Sequence, residues 1–326
     1  MEDDAPLRRW YARVEPWLEG IGRQATRCLA AGIFLGVLVP PLAAAARPLL
    51  TPAIFTLMVV TVLRLDPGAV GASLRRPLPL ALAVLWLLVG TPLLVLAPAA
   101  ALGGGGFLVD HAVLVAASAP VISVVAYAVL LGLDAGFALA AGVVATALVP
   151  FTLPVLAGVV LGVELPLEAG RLLGRLVLLI GGAAGVAVLL RRWWGSAAVA
   201  RRGALADGVA VVAMLTFGLA VMDGVTAAAL DRPAFTARAL ALVFALAIGL
   251  NLAGTLVFAP FGRRLALTVG LMSGFKNFGL VVAAMGAAAD ELTVVFLGLV
   301  QFPIYLLPVA LRRLARRRLA REGDTP

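Results

Sequence analysis

The sequence contains one lysine, Lys276, among twenty-six basic residues. It lies in the run Ser273-Gly274-Phe275-Lys276-Asn277-Phe278-Gly279, deep inside a long apolar stretch. An ammonium and an amide fall there between two glycines, which loosen a helix, and a hydroxyl precedes the first of them. A second run, Ser118-Ala119-Pro120-Val121-Ile122-Ser123, followed by Tyr127, interrupts another apolar stretch. Proline removes a backbone donor and disturbs the turn before it, so carbonyls are left that need partners. A cation in the middle of a bilayer costs about 2.5–3.5 kcal/mol on insertion scales. Unlike arginine, lysine can give up its proton when buried. Two readings of Lys276 follow. In the first it is a substrate or ion-coupling group, since ionisable groups at membrane depth are usually functional. In the plainer alternative it is a structural lysine that hydrogen-bonds opened carbonyls of the Pro120 run.

Other chemistries have little to work with. Asp134, Asp207, Asp223, Asp290 and Glu291 all fall near the ends of apolar stretches, so no resident carboxylate is expected at the depth of Lys276. That leaves the substrate itself as the candidate partner. One cysteine, Cys28, permits no intrachain disulfide and no cysteine metal site. One histidine, His111, is expected at the outer mouth of its span, too far out to serve Ser118 or Ser123 as a base. No enzyme activity, cofactor or metal is expected.

The elements that hold these runs must be membrane helices. The chain has 326 residues, 63% hydrophobic and 13% charged, whereas soluble domains carry about 25% charged residues. Apolar stretches occur at 28–46, 49–64, 78–98, 107–132, 135–158, 172–190, 205–227, 238–259, 264–288 and 292–311. Each approaches the roughly 20 residues that a helix needs to cross the hydrocarbon core. Ten spans result, with tight hairpins between spans 1 and 2, 4 and 5, and 9 and 10. The Pro120 run then interrupts span 4, and the Lys276 run interrupts span 9.

Arginine placement tests this map. With the N-terminus inside, only Arg47, Arg171, Arg175, Arg232 and Arg238 fall outside. The others cluster in inside segments, such as Arg75-Arg76, Arg191-Arg192, Arg201-Arg202, Arg263-Arg264 and the tail from Arg312. The bias predicts both termini in the cytoplasm and an inner-membrane location. It also accounts for the net charge of +9 through contact with anionic lipids, so nucleic acid is not expected as a partner. Residues 1–27 form a cytoplasmic segment with Leu7, Trp10, Tyr11, Val14 and Leu18 at helical spacing, which suggests a helix lying on the inner surface. The acidic start, Met1-Glu2-Asp3-Asp4, does not read as a secretory signal. Residues 312–326 form a basic tail. Trp193 and Trp194 beside Arg191-Arg192 read as interface anchors.

The halves resemble each other. Span 3 begins Leu80-Ala-Leu-Ala and carries Gly90-Thr91 and Ala97-Pro98. Span 8 begins Leu240-Ala-Leu-Val and carries Gly254-Thr255 and Ala259-Pro260. Pro150 and Pro154 of span 5 match Pro303 and Pro308 of span 10. Residues 28–158 and 172–311 then form two five-helix repeats. An odd number of spans per repeat inverts one relative to the other. Such repeats cradle their sites between discontinuous helices near the midplane, which here are spans 4 and 9.

These runs resemble the bile acid:sodium symporter superfamily. The similarity rests on Leu74-Arg75-Arg76-Pro77, on Ala117-Ser118-Ala119-Pro120 with Tyr127, and on Gly274-Phe275-Lys276-Asn277-Phe278-Gly279-Leu280. The resemblance implies an all-helical membrane fold of two inverted five-helix repeats with crossed, discontinuous helices 4 and 9. It further implies a panel of spans 1, 2, 6 and 7 that moves against a core of the other six. Members with two sodium sites place a glutamate and a glutamine where this chain has Met272 and Lys276. The Gly-Gly and Ser-Asn that follow the proline in span 4 are here Val121, Ile122, Val125 and Ala126. A span 3 glutamine falls on Leu87. The resemblance therefore implies transport without carrying sodium coupling onto this chain, and Lys276 sits near a vacated cation position.

The expectation is a secondary transporter of a small solute, an organic anion, working by alternating access, with coupling either proton-linked or absent. Its site residues are Lys276, Asn277, Ser273, Gly274, Gly279, Met272, Ser118, Pro120, Ser123 and Tyr127. Two alternatives stand: a sodium-coupled organic anion symporter using backbone ligands, and a non-transporting sensor or scaffold on the same fold.

Overall fold

The computed structural model describes residues 25–64, 68, 71, 75–101, 105–161, 166–285 and 289–320. The expected surface helix over residues 7–24 and residue Leu74 lie outside the described residues, as does the tail beyond Ala320. The side chain of Cys28 lies outside them as well. Among the described residues every regular element is helical. In chain order these are α1 Ala25–Leu38, α2 Pro40–Ala46, α3 Leu50–Leu63, α4 Pro77–Leu85, α5 Thr91–Ala101, α6 Phe107–Ala117, α7 Ser123–Leu131 and α8 Ala135–Leu161. Then follow α9 Pro166–Trp194, α10 Ser196–Arg201, α11 Gly203–Ala220, α12 Val225–Asp231, α13 Pro233–Val257, α14 Arg263–Gly274, α15 Phe278–Met285 and α16 Glu291–Ala320.

Six helical runs among the described residues are long and apolar enough to cross a membrane. They are Pro40–Leu63, Pro77–Pro98, Ala135–Leu156, Gly174–Trp194, Leu205–Asp231 and Pro233–Val257, and Phe107–Ala117 and Glu291–Leu307 are shorter apolar helices. Leu178, Leu252, Leu256 and Val188 are large apolar side chains left exposed along these helices, as lipid-facing positions of a membrane helix are.

The first hairpin differs from the sequence expectation. The break falls at Val39, not between residues 46 and 49. Pro40 and Pro41 supply no N–H to continue α1, and the residue before a proline is pushed out of the helical region. Val39 accordingly has φ −126° and ψ 72°. Arg47-Pro48 is absorbed instead in a 3₁₀ turn, Arg47–Leu49, that joins α2 to α3. Arg47 is not a loop arginine: its guanidinium pairs with Asp223 at 3.0 Å.

The described chain folds as two compact units. One comprises residues up to Leu65 together with Leu178–Thr226; the other comprises Asp66–Val177 and Ala227 onward. In the first, α11 packs on α1 and α3, and glycines allow the close approach. A Cβ at Gly36 would lie 2.7 Å from the Met222 Cβ. Val59, Leu63, Ala183 and Ala187 form a buried cluster covered by Phe55. Arg191 donates to the Leu63 carbonyl, satisfying an orphan acceptor at the end of α3. Arg64 pairs with Asp207, and Thr226 donates to the Val37 carbonyl at 2.7 Å.

In the second unit, α13 and α14 pack along a seam of small residues. Added Cβ atoms at Gly254, Gly270 and Gly274 would overlap Ser273 Oγ, Thr255 Oγ1 and the Ala247 carbonyl respectively. Small residues that let backbones approach are the usual device for packing helices in lipid, where burial of apolar surface gives no drive. This seam carries α14 to the place where it stops.

Candidate functional site

Two interrupted helices meet in the second unit. The first is α6, which ends at Ala117. Ser118 is extended, at φ −74° and ψ 160°; beyond it Pro120 disfavours the helical region for Ala119 and has no N–H to donate. α7 then begins at Ser123. The second is α14, which ends at Gly274, followed by Phe275 at φ −113° and ψ 95°. α15 begins at Phe278.

The two extended breaks pair as a single antiparallel bridge, Pro120 opposite Lys276. Val121 donates its N–H to the Phe275 carbonyl at 2.9 Å, and Asn277 donates its N–H to the Ala119 carbonyl at 2.7 Å. Buried open backbone is tolerated only where its polar groups find partners. Here each break supplies them to the other.

The Lys276 side chain passes through this crossing and is 1% exposed. Its ammonium donates to the carbonyl of Leu87 at 2.7 Å, to Thr91 Oγ1 at 3.0 Å and to the carbonyl of Ser118 at 3.2 Å. Among the described residues no carboxylate pairs with it. The plainer of the two sequence readings, a lysine bonded to opened carbonyls of span 4, describes its Ser118 contact.

The Leu87 carbonyl is available for a specific reason. Residues Trp86–Gly90 form one π turn between α4 and α5, in which Thr91 N–H bonds to the Trp86 carbonyl, five residues back. In that register the donor for Leu87 would be residue 92, a proline without an N–H. Lys276 fills the vacancy. Thr91 Oγ1 lies 2.8 Å from both the Leu87 and Ala116 carbonyls, and its single hydrogen serves one of them at a time. It therefore accepts from Lys276. The ammonium also sits at the carboxyl end of α6, where the helix dipole favours positive charge.

The other expected site residues take varied roles. Asn277 Oδ1 accepts from the Leu280 N–H at 3.3 Å, an N-cap for α15. The Ser118 hydroxyl donates back to the Val115 carbonyl, and the Ser273 hydroxyl donates back to Val269. Ser273 Oγ also accepts from Trp86 Nε1 at 2.9 Å. Met272 is fully buried, and Gly279 is buried at the start of α15. Gly274 packs against the Ala247 carbonyl. Tyr127 meets Phe275 edge to face at 5.9 Å. Ser123 is buried, its hydroxyl makes no hydrogen bond among the described residues, and it lies beside Tyr127.

His111 makes its contacts away from Ser118 and Ser123. It is buried in the first turns of α6, where Phe107 stacks on its ring at 3.9 Å. Nδ1 lies 2.7 Å from the Phe107 carbonyl and Nε2 lies 2.8 Å from Thr293 Oγ1. A carbonyl can only accept, so Nδ1 carries the hydrogen, and in the neutral ring Nε2 accepts from Thr293. Among the described residues no group of three metal-ligating side chains occurs.

Thr91 and the Leu87 carbonyl were missing from the sequence-derived site. Backbone acceptors leave no side-chain signature, but Pro92 in the middle of an apolar helix signals freed carbonyls one turn earlier. In comparisons with known proteins, no family model and no curated sequence matches this chain.

Proposed function

We propose that this protein is a secondary transporter of a small organic anion, working by alternating access in the inner membrane with both termini in the cytoplasm. The observation that carries the reading is the crossing itself: two interrupted apolar helices, bridged at Pro120 and Lys276, around a buried cation with no carboxylate among the described residues. Such irregular backbone is expensive in a membrane and marks the binding regions of transporters. The uncompensated charge and the N-terminal ends of α7 and α15 favour an anion nearby. Two further features support the reading. Spans 3, 4, 5, 8, 9 and 10 of the ten-span, inverted-repeat reading fall in the unit that contains the crossing. Spans 1, 2, 7 and most of 6 fall in the other, which is the panel-and-core grouping implied by the superfamily resemblance.

Coupling follows from the hydrogen-bond count. Three acceptors face Lys276, and only the ammonium form supplies three N–H groups. Lys276 is then a fixed cation in place of bound sodium, and transport is facilitated or exchange-type. One observation favours a second reading, a non-transporting membrane sensor or scaffold: no N–H of Lys276 is left over for a solute. A ligand screen separates the two. Purified protein is unfolded thermally against a panel of mono- and dicarboxylates, and stabilising anions are tested for uptake into proteoliposomes. Saturable uptake is expected. Stabilisation without uptake supports the sensor reading.

A further inference from the structure

The three oxygens around the Lys276 ammonium are held by features of the chain other than the lysine. The Leu87 carbonyl is freed by the π turn and by Pro92. Thr91 Oγ1 is directed by its own bonds to the Leu87 and Ala116 carbonyls. The Ser118 carbonyl is freed because Ser118 leaves the helix ahead of Pro120. All three present acceptors only, since the Thr91 hydrogen is committed to a carbonyl. Such a cage selects a cation that donates several hydrogen bonds, and its spacing from Nζ, 2.7 to 3.2 Å, is that of N–H···O bonds.

We propose that Leu87 O, Thr91 Oγ1 and Ser118 O form a cation site for a primary ammonium ion, permanently occupied by the side chain of Lys276, and that cutting this side chain back opens the site to a free alkylammonium ion. Lys276→Ala removes the chain from Cγ to Nζ, which is n-propylammonium in atoms and charge. The inference rests on the reading of Lys276 as a resident cation and not on transport. It is read out by binding and stability alone, so its failure and a failure to transport are separate results.

The full-length protein is purified as wild type, Lys276→Ala, Lys276→Met and the double variant Lys276→Ala with Thr91→Val. Each is unfolded thermally in n-propylammonium chloride, with sodium chloride and choline chloride at equal ionic strength as references. The Lys276→Ala protein is expected to gain melting temperature saturably in propylammonium and not in sodium or choline. Wild type and Lys276→Met, whose side chains fill the site, are expected to show no specific gain. Adding Thr91→Val should weaken the apparent propylammonium affinity about ten-fold or more, as the loss of one hydrogen bond to a charged group does. The inference is overturned if propylammonium acts on Lys276→Ala no better than choline, if wild type responds equally, or if the double variant binds as tightly as the single one. Inability of propylammonium to recover folded Lys276→Ala during purification counts against it in the same way.

Discussion

The Leu87 carbonyl lies 2.7 Å from the Lys276 ammonium, and its helical donor is missing because residue 92 is proline. A backbone defect in one helix and a charge in another thus offset each other. A buried ammonium without acceptors is costly because it loses its hydration, and the Leu87 carbonyl gains in Lys276 a donor beside the shared hydroxyl of Thr91. Together with Ser118 and Thr91 they tie the π turn, the end of α6 and the break after α14 into one polar knot. The polar groups at the two helix breaks thereby find partners within the chain itself.

Sodium should therefore have no site at the crossing of the native protein. Met272 is wholly buried, and Lys276 already occupies the available oxygens. Titration of wild-type thermal stability with sodium chloride, against choline chloride at equal ionic strength, should give superimposable curves. A saturable, sodium-specific rise would mean that other oxygens bind sodium.

The α13–α14 seam should be intolerant of bulk. A Cβ at Gly270 would overlap Thr255 Oγ1 and approach the Asn251 carbonyl to 2.6 Å, and both neighbours are held in a helix. Gly270→Val should lower stability by about 1–3 kcal/mol or more, as overpacked cores do. Thermal unfolding of the purified variant measures this. Gly249, where a Cβ meets open space, serves as the control: Gly249→Ala should leave stability unchanged or slightly raised.

His111 joins α6 to α16 through Thr293. His111→Leu keeps the apolar contact with Phe107 but leaves the Phe107 carbonyl and the Thr293 hydroxyl without this partner. A cost of about 1–3 kcal/mol is expected. His111→Gln, whose amide can both donate and accept, should recover part of it. Equal stability of the leucine variant and wild type would show that the imidazole bridge contributes nothing.

Topology is tested by labelling. In a Cys28→Ala background, a cysteine in place of Thr325 should react only after the membrane is made permeable, and one in place of Gly105 should react in intact cells. The arginine bias requires this pattern. Labelling of the tail in intact cells would contradict it.

Much of the crossing was legible in the sequence because its causes are local. Pro120 and the Gly274 run announce broken helices by their own chemistry, and a lone lysine inside an apolar stretch announces itself. What failed to show was pairing. Leu87 contributes a backbone oxygen, for which its side chain gives no clue. The Ser118 and Ser273 hydroxyls suggest a polar site but bond back to their own helices, as serines in membrane helices often do. Arg47 marked the first hairpin wrongly, because an arginine near a proline reads as a loop. Asp223, which holds it within a helical segment, is 176 residues away.

The most direct test of the account is uptake by Lys276→Ala. The carboxylate that most stabilises the wild-type protein is followed into proteoliposomes at matched protein content, in sodium and in choline buffers. Equal wild-type uptake in the two buffers is expected, with loss of at least nine-tenths of it in Lys276→Ala. Uptake by Lys276→Ala at the wild-type rate, or wild-type uptake that requires sodium, would contradict it.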